Sequence, residues 1–209
     1  MDRRERFQFV GQYRCLDFVN TKFTKEGGRR VDLMCSFDDL IDWLWESSLI
    51  DRKQLHRALE SWGSGRWAER IYQSALVLRE VLLSMAEKLA AHQPVTRASL
   101  EAINRTIRKR SGCVLIVRSA GRFEEITRLD LDEPDQLMVP IAESARDLLC
   151  RGDLALVKRC ANPTCEAFFY DTSKNHTRRW CSTTGCGNRM RVAAHYRRRH
   201  AANQARTAT

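Results

Sequence analysis

Cys160 and Cys165 stand five residues apart, as do Cys181 and Cys186, and fifteen residues separate the two pairs. Thiolates are soft, negatively charged ligands. Four of them delivered by two tight turns make the tetrahedron that a zinc ion prefers. Turn chemistry lies inside both pairs: Asn162-Pro163 in the first and Ser182-Thr-Thr-Gly185 in the second. The competing chemistry, two disulfides, suits an oxidising compartment, and the other cysteines (Cys15, Cys35, Cys113 and Cys150) stand singly. Four protein ligands leave no position for water or substrate. The expected metal is therefore one structural zinc ion, not a catalytic one.

The elements that must position these thiolates follow from the residues between and after them. Ala167 to Tyr170 is aromatic, Ser173 to Asn175 is a polar turn, and Arg178-Arg179-Trp180 comes next, a pattern that predicts a β-hairpin. Turn, hairpin, second turn and helix is the order of a treble-clef zinc module. Cys186 then falls in the first helical turn, where the helix N-terminus favours a thiolate. Projection of residues 189–200 at about 100° per residue gathers Arg191, His195 and Arg198 on one side, with Arg199 at its edge. This side is expected to face outward and to meet phosphates or a groove wall of nucleic acid. Val192, Ala193 and Tyr196, together with Arg189 and His200, fall on the other side, which is expected to pack on the hairpin aromatics and Trp180. Arg189 is then expected to find an internal partner in Asp171. A two-Cys, two-His finger using His195 and His200 does not fit, because eight residues separate Cys186 from His195, where that finger spaces them by about 12.

Charge separates the tail from the rest. From Lys158 onward there are eleven Lys/Arg against two acids, Glu166 and Asp171, a surplus of nine; the remainder of the +10 net charge is a surplus of one. A nearly neutral body with a basic tail suits a polyanionic partner for the tail alone; a merely solubilising tail is the alternative reading. The most apolar stretch, Ala75 to Ala91, is interrupted by Arg79, Glu80, Glu87 and Lys88, which excludes a membrane span. No signal peptide is read at the start, and a reducing cytoplasm is the expected compartment. There the four single cysteines are expected to be small buried hydrophobes.

The body reads as mostly helical. Ser36, Asp51 and Thr96 open helices, and the longest, Trp67 to about His92, carries Ile71, Ala75, Leu78, Leu82, Met85 and Leu89 at helical spacing. A further helix is expected over Asp135 to Cys150. Cys113 to Arg118 and Phe123 to Leu129 predict a hairpin, and Phe7 to Val10 a short strand. Lys25 to Arg30, with paired glycines, predicts a flexible loop. Asp17 and Asn20, three residues apart, share a face of one helical turn. They are candidate ligand-contacting residues; the competing and preferred assignment gives both to backbone hydrogen bonds that fix the chain entry.

Several of these stretches also carry a resemblance. Cys160-Ala-Asn-Pro-Thr-Cys165, Phe169-Tyr-Asp-Thr-Ser173, Arg178-Arg-Trp-Cys181 and Cys186-Gly-Asn-Arg189 are together similar to the CGNR zinc finger. That finger occurs in bacterial proteins regarded as stress-induced transcriptional regulators. Leu16-Asp-Phe-Val-Asn-Thr21 resembles the opening motif of the ABATE domain that accompanies it, and Asp38 to Asp51 resembles that domain's Trp-Leu helix. The match is specific over Arg159 to Arg199 and looser over residues 10–150. It implies an α+β, mostly helical ABATE-like domain over residues 1–153 with a small-ligand sensing role, and a treble-clef-like finger over residues 154–209. The expected function is a zinc-containing, DNA-binding transcriptional regulator. A zinc-stapled adaptor that binds protein or RNA through its tail stays open beside it. An enzyme is not expected, since no Gly-rich phosphate loop, Gly-x-Ser-x-Gly or His-Glu-x-x-His motif occurs.

Overall fold

The computed structural model describes residues 6–24, 29–127 and 129–207. Its centre is the long helix α4 (Gly65–Ala90), whose stripe Ile71, Ala75, Leu78, Leu82, Met85 and Leu89 is buried as the spacing predicts. Around it pack α1 (Arg14–Val19), α2 (Phe37–Glu46), α3 (Arg52–Trp62), α5 (Arg97–Ile107) and a 3-10 turn (Pro134–Met138) that leads into α6 (Val139–Arg151). The helix starts follow the capping rules: Ser36 accepts from the Asp39 N–H, Asp51 forms a capping box with Gln54, and Thr96 accepts from the Ser99 N–H. No helix among the described residues is long and apolar enough to cross a membrane.

Among the described residues, three antiparallel pairs complete the α+β architecture. β1 (Lys22–Thr24) pairs with β2 (Arg30–Asp32), β3 (Val114–Ser119) with β4 (Arg122–Thr127), and β5 (Val157–Arg159) with β6 (Phe168–Tyr170). Residues 25–28 of the expected loop lie outside the described residues, and Arg30 belongs to β2. Phe7 to Val10 forms no strand; its backbone instead approaches the tail, as set out below. The single cysteines divide: Cys15 is buried as expected, whereas Cys35, Cys113 and Cys150 are exposed. Cys35 precedes the cap of α2, Cys113 precedes the outlying β3–β4 hairpin, and Cys150 sits in the last turn of α6, positions that the core does not cover.

β6 ties the tail to the body through the alternation of strand side chains. Phe168 enters the main core together with Val157, Phe169 enters a second cluster with Cys160, Cys181 and Cys186, and Tyr170 turns back to stack edge-on against Tyr13 at 5.2 Å. Burying Phe168 contributes about 1.5–3 kcal/mol. The short helix α1 supplies the polar half of the seam. The Asn20 side-chain amide donates to the Phe168 carbonyl at 2.8 Å and accepts from the Phe168 N–H at 2.8 Å, pairing with β6 as a strand would. One residue pair further on, the Tyr170 N–H donates to the Gly11 carbonyl at 3.0 Å, and the Gly11 N–H donates to Asp17 Oδ1 at 2.7 Å. A Cβ on Gly11 would stand 2.8 Å from Leu16 Cβ and 2.9 Å from the Asp17 nitrogen, so this crossing accepts only glycine. Beneath it, buried Arg79 holds Asp32 through two bonds of 2.7 and 2.6 Å and reaches Thr21 at 3.0 Å.

Burial raises the Asp17 carboxyl above its ordinary range, against the Gly11 N–H and the Arg14 guanidinium, which both pull it down. A carboxyl whose folded value is raised gives its stabilisation fully below its unfolded value and loses it as pH rises through the folded one. Asp17→Asn keeps the acceptor without the buried charge, so denaturant titrations should show a smaller fall in stability between acid and neutral pH than in the parent. Asn20→Ala leaves both backbone groups of Phe168 without their partner. It should lower stability by about 2–4 kcal/mol, with tryptophan fluorescence and zinc release shifting together; a variant that loses the finger while the body keeps its midpoint would contradict a shared seam.

Candidate metal centre and nucleic-acid helix

Each pair of cysteines is presented by a turn with its own internal hydrogen bonds. In the first, Asn162 Oδ1 accepts from the Thr164 N–H at 3.2 Å, and the Cys165 N–H donates to the Asn162 carbonyl at 2.9 Å. In the second, Ser182 Oγ accepts from the Gly185 N–H at 3.0 Å and starts a single π-turn, Thr183–Gly187, that carries Cys186. Gly187 eases the close approach there: a Cβ would lie 3.1 Å from Trp180 Cδ1, so that ring would have to shift by a few tenths of an ångström. The four sulfurs lie within 4.8 Å of one another, with Cys165–Cys181 at 3.7 Å and Cys181–Cys186 at 3.6 Å. A tetrahedron with zinc–sulfur bonds of about 2.3 Å has edges of about 3.8 Å, whereas a disulfide needs about 2.05 Å. The arrangement is one structural zinc site with all four positions taken by protein.

Thiols this close cannot share protons evenly. Hydrogen bonds from Cys165 and Cys181 pull Cys160 down, and donating those bonds pushes the Cys165 and Cys181 thiols up. A dication removes the conflict by ionising all four. The protein adds N–H donors that offset the remaining negative charge: the Cys181 N–H to Cys160 Sγ at 3.4 Å, Asn162 Nδ2 to Cys186 Sγ at 3.4 Å, and Arg189 Nη2 to Cys186 Sγ at 3.3 Å.

The frame around the sulfurs differs from the hairpin expected between the pairs. β6 pairs with β5, upstream of Cys160, and not with residues 178–180, because Val157 and Phe168 share the body core and draw their strands together. The 178–180 segment crosses the first turn through one bond, the Ala161 N–H to the Arg179 carbonyl at 2.8 Å. Arg178 fastens it. Its guanidinium lies 4.5 Å from the Phe169 ring centroid, donates to the Trp180 carbonyl at 2.9 Å, and also donates to the Cys181 and Val10 carbonyls.

Asp171 is fully buried and is held by Lys158 at 2.6 Å, by the Ser173 hydroxyl at 2.6 Å, and by the Ser173 and Arg178 N–H groups. Burial alone would raise its carboxyl, but these four donors outweigh it and hold the group well below the usual carboxylate range. Lys158 thus takes the place foreseen for Arg189, which instead reaches Cys186. The sequence does not announce the roles of Arg178, Lys158 and Gly11, and for Asn162 it predicts the turn but not the bond to Cys186. The one usable signal was Asp171 itself, the last acidic residue of the chain.

Beyond the knot, α7 (Asn188–Thr207) departs from the expected packing. Arg191, His195, Arg198 and Arg199 are exposed, and so are Val192 at 46 % and Tyr196 at 57 %, which were expected to lie against the aromatics. Arg178 lies over Phe169, and Gly187 comes against Trp180. Arg191 touches the knot through one bond, to the Thr183 carbonyl at 3.3 Å. Asp17 and Asn20 lie on the seam between α1 and β6, and both bond to backbone.

Metal analysis of the purified chain should give close to one zinc per chain, and Cys181→Ser should lose it; full occupancy in that variant would remove Cys181 from the ligand set. Asp171→Ala leaves Lys158 with only the His176 carbonyl at 2.6 Å and removes the acceptor of the Ser173 hydroxyl and of two N–H groups, and should destabilise the tail by about 1–3 kcal/mol. That loss would be read as faster zinc transfer to a chelator.

Comparison with known proteins agrees with this division of labour. A family model described as "CGNR zinc finger" matches residues 157–199, the span of β5, the four cysteines and the exposed half of α7. A second, described as "Putative stress-induced transcription regulator" and named ABATE, matches residues 13–152, from α1 to the end of α6. No curated protein matches the chain. Because the second match spans more than half of the sequence and the first covers the zinc knot, the chain belongs to the ABATE family of stress-induced transcription regulators, with a CGNR zinc finger at its C-terminal end.

Proposed function

We propose that the protein regulates transcription by binding duplex DNA through α7, with zinc as the fixed mount of that helix and the body as the part that takes an effector. The observation that carries this reading is the helix itself: exposed on all sides from Arg191 to His200 apart from half-buried Ala194, and free of acidic residues. A bound zinc with four thiolates removes about two charges from the surplus of nine, and the tail stays strongly cationic. A helix of 20 residues is about 30 Å long, and the major groove of about 12 Å admits one. In this reading Arg191, Arg198 and Arg199 meet phosphates, and His195, between them on the same side, is placed to reach base edges. Zinc takes no part in chemistry: its four positions are filled, and its role is to hold the π-turn from which α7 starts.

The test is the salt dependence of DNA binding by the zinc-loaded chain. Each neutralised phosphate contributes about −0.9 to the slope of log affinity against log salt. Arg191→Ala and Arg198→Ala should each flatten that slope by about one unit without loss of zinc. Arg189→Ala should instead speed zinc loss, since its guanidinium serves Cys186. His195→Ala should change sequence preference at constant slope. If the folded, metallated protein binds no duplex at low salt but retains RNA, the adaptor reading replaces this one.

A further inference from the structure

The seam between body and finger encloses a cavity of about 540 Å³, within the range of small-molecule sites. Its apolar wall comes from both parts of the chain: Phe7, Val10, Phe23, Leu33 and Trp43 from the body, and Ala167 from the finger. Three of the zinc-binding cysteines, Cys165, Cys181 and Cys186, line it as well. Asp17, Asn20 and Thr21 also line it, but their hydrogen bonds are spent. Asp17 holds Gly11 and Arg14, Asn20 holds both backbone groups of Phe168, and the Thr21 hydroxyl donates to the Phe18 carbonyl and accepts from Arg79.

The formal charges on the wall are paired in the same way. Arg6 meets Asp39 at 2.5 Å, Asp17 meets Arg14 at 3.2 Å, and Arg189 lies 3.3 Å from the Cys186 sulfur. A charged guest would have to give up water and find its counter-charge already taken, a large penalty. An uncharged aromatic guest gives up little and gains contact with three aromatic rings. The unspent polar capacity is modest: the Gln8 amide from the body, and from the finger the Thr164 hydroxyl as an acceptor only, since its proton goes to Asn162 Oδ1 at 3.1 Å; both residues are exposed. It suits one or two hydrogen-bonding groups on the guest.

We infer that this cavity is an effector site for a small, uncharged aromatic molecule bearing one or two hydrogen-bonding groups, of the phenol or quinone class. The inference rests on the regulator reading for its consequence but not for binding itself. A guest here touches Asn20, which grips β6, and the turns that carry the zinc ligands. It therefore has different contacts whenever finger and body shift relative to each other. Differential contact of that kind is what couples one site to another, and the coupling acts equally in both directions.

The experiment is calorimetric titration of the full-length, zinc-loaded chain with naphthol and with naphthoate, which share a ring system and differ in charge. Naphthol should bind one per chain and at least about tenfold more tightly than naphthoate. Thr164→Trp, which fills the mouth from the finger side, should weaken naphthol at least about tenfold. Should that variant lose zinc, Gln8→Trp fills the mouth from the body side and should give the same loss. Naphthoate binding as well as naphthol, or undiminished naphthol binding in a metallated variant with a filled mouth, overturns the assignment. DNA affinity is measured on the same samples with and without saturating naphthol. A change in affinity supports the coupling. DNA affinity unmoved by a bound guest overturns the effector role, and absent DNA binding with intact naphthol binding refutes the regulator reading and leaves the cavity assignment standing.

Discussion

Four sulfurs within 4.8 Å of one another are the constraint on which the C-terminal quarter of the molecule depends. As thiols they would compete for protons, and as bare thiolates they would repel; a dication makes their convergence favourable. Almost everything nearby serves that convergence. Asn162 shapes the first turn and donates to a sulfur of the second, and Ser182 opens the π-turn that delivers Cys186. Gly187 lets that turn come against Trp180. There is little hydrophobic core to fall back on, since Phe169 and Trp180 are the main apolar side chains in the knot. A segment of this size without metal would have too little buried surface to offset its chain entropy.

The knot is nevertheless not an appendage. β6 sends Phe168 one way and Phe169 the other, so one strand of three residues belongs to both cores. Asn20 pairs with that strand by imitating a backbone, and Arg178 returns the contact by donating to the Val10 carbonyl. These bonds connect residues some 150 positions apart; Asn20 and Phe168 differ by 148. Polar contacts at a seam are directional, and a small sliding of one part over the other breaks them together. That makes the seam a place where two discrete arrangements are more natural than a continuum, and the cavity lies in it.

What the sequence disclosed and what it withheld divide along the same physical line. The metal ligands were legible because ligand chemistry fixes both residue type and spacing. The helix starts at Ser36, Asp51 and Thr96 and the stripe along α4 were legible because caps and 3.6-residue periodicity are local. The partner of β6 was not. Val157-Lys158-Arg159 is too short to show alternation, and it was chosen by Phe168 and Val157 entering a common core, a long-range event. The projection of α7 gathers Val192 and Tyr196 on one side but cannot say whether anything stands ready to cover that side, and both residues are exposed. Cys35, Cys113 and Cys150 were misplaced for a related reason: a cysteine is compatible with burial, but only the neighbouring elements decide whether burial is offered.

The uncovered helix is the feature that the body and the metal leave unexplained in energetic terms. In proteins most helix stability comes from packing of an apolar face, which the exposed Val192 and Tyr196 do not have here, and α7 carries no acidic residue to form the i,i+4 pairs that strengthen exposed helices. Arg197, Arg198 and Arg199 follow one another directly, so like charges crowd a single turn. The zinc-held π-turn fixes where the helix starts, and Ser182 caps that turn, but neither acts on the far turns. On the regulator reading, phosphates on both sides of a groove would neutralise the crowded guanidinium groups, and the groove walls would cover Val192 and Tyr196, which no described part of this chain buries. On that reading, helix and nucleic acid therefore stabilise each other, and the zinc knot determines only the direction in which that helix leaves the body.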